Sequence, residues 1–97
     1  MAQRAYEALV ILNPNLGEEQ IAATTQRLSD QITARGGSVG RVDTWGRRRM
    51  YYPIKHVRDG HYVVYDFTAD PLAVHELENG WRITDEVLRH LVTKKPE

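Results

Sequence analysis

The chain has 97 residues, with 13 Lys/Arg against 13 Asp/Glu and a formal charge of zero at neutral pH. That length suits one domain over residues 1–97, and the 41% hydrophobic and 27% charged content is globular rather than disordered. Without a cysteine there is no disulfide framework or thiolate chemistry, and no apolar run approaches the roughly 20 residues of a membrane span.

The opening residues, Met1 to Glu7, do not have the form of a signal peptide, and a cytoplasmic protein is expected. Tyr6 to Leu12 is a short apolar run rich in strand formers, and Asn13-Pro14-Asn15 turns the chain after it. From Glu18 to Arg35 the pattern is helical. Ile21, Leu28 and Ile32 fall on one face, with Ala22 and Thr25 beside them. Gly17 is the expected N-cap, Glu18 and Glu19 suit the positive end of the dipole, and Gly36-Gly37 supplies the stop.

Ser38 to Tyr52 reads as a long strand. Its phase is imperfect, because Val39 and Val42 would face opposite sides of a regular strand, and Gly46 is the natural place for a bulge. Pro53 is expected to end the ladder, and Ile54 to Gly60 to form a loop with Asp59-Gly60 as its tight turn. His61 to Phe67 completes the hairpin. A second helix opens at Asp70-Pro71, buries Val74, Leu77 and Trp81, and closes at Asn79-Gly80. Val87 to Val92 is read as the last strand, with a helix the alternative on propensity. A short exposed tail is expected from about Lys94.

Strand, helix, strand, strand, helix, strand predicts an α+β ferredoxin-like βαββαβ domain: a four-stranded antiparallel sheet with both helices on one face. The other sheet face is left for a ligand or partner. Fold alone does not choose between them.

Chemistry concentrates in the hairpin. From Thr44 to Tyr62 there are five Lys/Arg (Arg47, Arg48, Arg49, Lys55 and Arg58) against one acid, Asp59, in a chain otherwise net negative. Cations interleaved with Trp45, Tyr51 and Tyr52 suit a phosphate backbone with accessible bases, and equally a protein interface. On a strand Arg47 and Arg49 share one face and Arg48 takes the other, so one face could grip phosphates while the other meets a protein. The bland alternative is a solvated charged strand, with at least one tyrosine in the core. No enzyme constellation competes. His56 and His61 lack further ligands at metal spacing, Ser29 and Ser38 lack a His/Asp partner, and no phosphate-binding or dinucleotide fingerprint occurs. The loop after the first strand has no arginine, unlike the anion cradle of acylphosphatase-like enzymes of this fold. Neither catalytic residues nor a cofactor or metal is expected.

Trp45-Gly46-Arg47-Arg48-Arg49-Met50-Tyr51-Tyr52-Pro53-Ile54-Lys55 resembles the Trp-Gly-Arg-Arg-x-(Leu/Met)-x-Tyr-Pro-Ile signature of the bacterial small-subunit ribosomal protein six family. Tyr6-Glu7 with Leu9 to Pro14 is similar to that family's opening strand, and Asp85 to Val92 to its closing strand. Together these span Arg4 to Lys94. The resemblance implies a structural protein of the ribosome, not an enzyme, that binds the central domain of 16S ribosomal RNA in the small-subunit platform. It also implies a heterodimer with small-subunit ribosomal protein eighteen. On that reading Trp45, Arg47, Arg48, Arg49, Tyr51, Lys55, His56 and Arg58 face rRNA or the partner, and Arg4, Lys94 and Lys95 add phosphate contacts. The chain departs from the pattern at Tyr51, where alanine is common. Some members carry a long acidic tail that receives added glutamates, and ending at Glu97 the sequence gives no ground to expect that modification. An independent RNA- or single-strand-binding module is the second reading, and a small-ligand regulatory domain the third.

Overall fold

Alternation along the first strand decides how the sheet is covered. The computed structural model describes residues 3–54 and 57–96, with the side chains of 51–54 and 57 outside the description. In β1 (Arg4–Leu12), Tyr6, Ala8, Val10 and Leu12 are buried on one face. Their partners on β3 (Val57–Ala69) are Phe67, Tyr65, Val63 and His61. Phe67, Tyr65 and Val63 are buried too, so the two central strands present one apolar surface. Two helices lie on it. Thr24, Leu28 and Ile32 of α1 (Glu18–Ala34) and Val74, Leu77 and Trp81 of α2 (Pro71–Arg82) are the buried helical residues, while Ile21 is half-buried against the same core.

The remaining strands are β2 (Ser38–Ile54) and β4 (Val87–Lys94). All pairings are antiparallel, in the order β2-β3-β1-β4, which is the expected ferredoxin-like sheet with β2 and β4 at its edges. The last element is a strand rather than a helix because β1 has a second edge to pair: Asn13 N–H donates to Glu86 C=O at 2.9 Å and the ladder runs on from there.

Buried aromatics tie the layers together through their polar tips. Trp81 Nε1–H donates to Gln31 Oε1 at 2.9 Å, and Tyr65 O–H to the Thr25 carbonyl at 2.9 Å. Burial pushes the Tyr65 phenol well above its ordinary pKa. Trp81 is 1% exposed; removing about 200 Å² of ring from water contributes about 5 kcal/mol at most. Outside the core, Arg27 and Glu86 pair at 3.1 Å across the surface between α1 and the α2–β4 connection.

The helix ends follow from local chemistry. Gln20 Oε1 accepts the Gly17 N–H at 3.3 Å, which is half of a capping box, since glycine has no side chain to return the bond. At the other end Gly36 takes φ +84°, and Gly36 and Gly37 donate back to Thr33 and Ile32 at 3.0 Å each. Asp70 Oδ1 caps α2 by accepting the Leu72 N–H, with Pro71 in the first turn. The expected stop at Asn79-Gly80 does not occur. The helix continues to Arg82, which carries Trp81 into the core, and it closes where Thr84 Oγ1 donates to the Gly80 carbonyl at 2.8 Å.

The hairpin also departs from expectation. β2 runs through Pro53 to Ile54, where the register is irregular between Arg49 and Ile54 on an edge strand, a setting that tolerates a missing N–H. Asp59 and Gly60 are not the turn. They sit within β3 opposite Arg49 and Arg48, and Ile54 already pairs with Val57; residues 55–56 lie outside the described set. Gly60 serves close packing instead: a Cβ there would lie 2.2 Å from Ile11 Cγ2.

Candidate nucleic-acid interface

Two bulges set the geometry of β2. The register shifts between Val39 and Arg41, so Val39 and Val42, opposite Phe67 and Tyr65, both come to the helix-covered face. It shifts again between Thr44 and Gly46, with Gly46 at φ +83° and Trp45 as the extra residue. Beyond that bulge Arg47 pairs with His61, Arg48 with Gly60 and Arg49 with Asp59. Gly60 lies against Ile11 on the open face, so Arg48 belongs to the open face and Arg47 and Arg49 to the helix side.

On the open face Trp45 stacks on Tyr62, with centroids 6.2 Å apart and planes 8° from parallel. The Arg48 guanidinium carbon is 5.3 Å from the Trp45 ring, a cation–π distance. Trp45 Nε1–H donates to Asp43 Oδ2 at 3.3 Å, which fixes the indole, yet the residue remains 44% exposed. The result is a stacked platform made of Tyr62, Trp45 and Arg48. Across the strands Gly46, Tyr62, Ile11 and Arg89 form one row, so Arg89 closes the far side about 14 Å away. The next row, Asp43, Val64, Leu9 and Leu91, is mainly apolar. Arg58, two residues before Gly60, shares this side and is exposed. Among the described residues Arg48, Arg58 and Arg89 make no ion pair.

The helix side of the hairpin differs. Arg47 pairs with Asp59 at 3.3 Å, both in solvent. A cleft of about 680 Å³ opens between α1 and the hairpin, lined in part by Leu16, Ile21, Thr25, Thr44, Arg47 and His61. Burial lowers the His61 pKa, and its Nε2 is buried with no hydrogen-bond partner among the described residues.

The expected site residues do not form one cluster. Trp45, Arg47, Arg48, Arg49 and Arg58 gather at the hairpin. Arg4, half-buried, pairs in register with Ala69, and Lys94 with Tyr6, at the other end of β1. The eight residue steps from Leu12 to Arg4 put these two groups about 27 Å apart. Lys95 is neutralised by Asp66 at 2.9 Å. Lys55, His56 and the Tyr51 side chain lie outside the described residues. Sequence reasoning missed Tyr62 and Arg89, which only the strand register brings to the platform; their own segments carry no local signal. No group of three or more potential metal ligands occurs among the described residues, and none of their helices is long and apolar enough to cross a membrane.

Residues 5–94 match the family model described as Ribosomal protein S6. The chain belongs to the ribosomal protein S6 family. A small ribosomal subunit protein bS6 from Symbiobacterium thermophilum is 40% identical over 94 residues, covering 97% of this chain and 99% of that protein. The bS6 of Clostridium novyi is 46% identical over 89 residues, covering 92% and 94%. The crystal structure of 30S ribosomal protein S6 from Thermotoga maritima superimposes with a TM-score of 0.91 at 33% identity, covering 97% of this chain and 89% of that one. The S6 fold is therefore the ferredoxin-like fold described above, and these S6 relatives are ribosomal proteins, not enzymes. Like them, this S6 family member is a protein of the small ribosomal subunit.

Proposed function

We propose that this chain, as a single domain, binds the central domain of 16S rRNA in the small-subunit platform, together with small-subunit ribosomal protein eighteen as a heterodimer. The observation that carries the reading is the open-face platform. Its rings and guanidinium are planar, and Arg48, Arg58 and Arg89 around it make no ion pair among the described residues. Such a surface accepts a phosphate or a splayed base without first breaking an internal ion pair. Arg47 on the helix side is held by Asp59, which suits it to fixing the hairpin or meeting a protein carboxylate. Trp45, Arg47, Arg48, Arg49, Tyr51, Lys55, His56 and Arg58 make up the hairpin contact, and Arg4, Lys94 and Lys95 a second, weaker one. Because the whole chain is neutral, affinity depends on this local patch and on the partner.

The test is a gel shift with a 16S central-domain fragment, with and without protein eighteen, across a salt series. Binding that requires the partner is expected. Three neutralised phosphates give a slope of log affinity against log salt of about −2 to −3. Binding of equal strength without the partner would replace the heterodimer with an independent RNA-binding module, and no binding in either arm would remove the reading.

A further inference from the structure

The two edges of the sheet are guarded differently. The β2 edge is broken by bulges at Gly40 and Gly46, is irregular after Arg49, and carries three consecutive arginines, all features that discourage strand pairing. β4 has none of these from Arg89 to Lys94. That stretch keeps one register against β1 and contains neither glycine nor proline. Lys95 N–H donates to the Ala5 carbonyl at 2.9 Å, and the antiparallel alternation then turns the backbone groups of Arg89, Leu91 and Thr93 toward β1. Those of His90, Val92 and Lys94 point outward from the sheet. They form a short ready-made ladder.

Side chains on both faces suit a guest strand there. On the open face Leu91 is 53% exposed. On the helix side a recess of about 220 Å³ opens beside the edge, lined by Trp81, Arg82, Val87, Leu88, Arg89 and His90. Its volume equals that of about seven waters, enough for one side chain. His90 is held edge-on to Trp81, with centroids 6.0 Å apart, which gives the recess a firm wall. The charge around the edge is positive. Arg82, Arg89 and Lys94 make no ion pair among the described residues, Glu86 is engaged by Arg27, and Glu78 lies 3.8 Å from His90.

We propose that the β4 edge, from Arg89 to Lys94 with its recess beside Trp81, docks an extended, acid-bearing segment of a neighbouring small-subunit protein, which adds a fifth strand to the sheet. Strand addition supplies the backbone bonds, and pairing the guest's carboxylates with Arg82, Arg89 or Lys94 sets its charge. A second copy of this chain fits poorly, since it would bring the same three cations to the seam. RNA fits poorly because the ladder alternates donors with carbonyl acceptors that repel phosphate. The proposal stands on the edge geometry and does not depend on the rRNA reading.

Amide hydrogen exchange, read residue by residue by fragmentation mass spectrometry, tests it on the full chain, free and reassembled into the small subunit. In the free chain His90 and Val92 should exchange fast while Leu91 and Thr93 are protected. In the subunit, exchange at His90 and Val92 should slow by at least about tenfold. Unchanged exchange there overturns the proposal. So does protection produced by a 16S fragment alone, which would assign the edge to RNA, or by raising the concentration of the free chain, which would assign it to a second copy. Arg82→Gln, at an exposed position outside the rRNA platform, should leave the free chain's melting temperature nearly unchanged and weaken the protection about fivefold. Full protection in that variant overturns the acidic character of the guest. Hairpin amides in the same data report the rRNA reading separately.

Discussion

The two faces of the sheet are built from the same strands and do opposite things. On the covered face Ala8, Val10 and Leu12 of β1 are fully buried beneath two helices whose own apolar stripes fit them. On the open face Ile11 and Val64 are almost as well hidden, at 7% and 8% exposure, though no layer of secondary structure lies above them. Their cross-strand neighbours in the same rows, Tyr62 and Arg89 for Ile11 and Leu9 for Val64, provide the cover. Burial on the first face is therefore held by backbone elements, and on the second by side chains that a partner could move. Stability is concentrated on one face and adaptability on the other.

Three variants break or sharpen that contrast. Trp81→Ala should cost the most, about 3 to 5 kcal/mol in chemical denaturation, because it opens a cavity beneath both helices and orphans the Gln31 side chain. Gly60→Ala acts on the open face. Its new methyl must displace Ile11, so a loss of about 1 to 3 kcal/mol is expected, and Ile11→Leu in the same chain, which removes the Cγ2 branch, should recover part of it. A loss below a few tenths of a kcal/mol would mean that the open face yields freely. Smallest in stability is Arg47→Ala with Arg48→Ala, within about 1 kcal/mol, since the Arg47–Asp59 pair is in solvent and Arg48 rests on an exposed ring. The same pair should weaken assembly with the 16S fragment and its partner in the gel shift. A large fall in melting temperature with assembly intact would make the arginines structural.

Much of the covered face was legible in the sequence, because the 3.6-residue stripe of each helix and the alternation of β1 are local patterns. The bulge at Gly46 was expected from a phase error that belongs elsewhere: Val39 and Val42 are brought to one face by the register shift between Val39 and Arg41, a bulge that the sequence reading did not place. Where local signals misled, a distant contact outweighed them. Asp59-Gly60 has the form of a turn, but Gly60 is needed where β3 crosses close to Ile11. Asn79-Gly80 has the form of a helix stop, but Trp81 beyond it belongs to the core. The open-face platform was half legible. Trp45 and the arginines advertise themselves, whereas Tyr62 and Arg89 join only through strand register, which no window of sequence contains. Nor does the sequence separate the cations of the hairpin from those of Arg4 and Lys94, since both groups look equally basic on paper.

The two tryptophans fall one to each face, and this gives the molecule a built-in pair of optical probes. Trp81, sealed in the core, should emit as an indole in an apolar medium and shift to the red only when the helices leave the sheet. Trp45, in solvent beneath a guanidinium and beside a phenol ring, should change its emission when something settles on the platform while the core stays intact. Folding and docking can thus be followed by colour in the unlabelled chain.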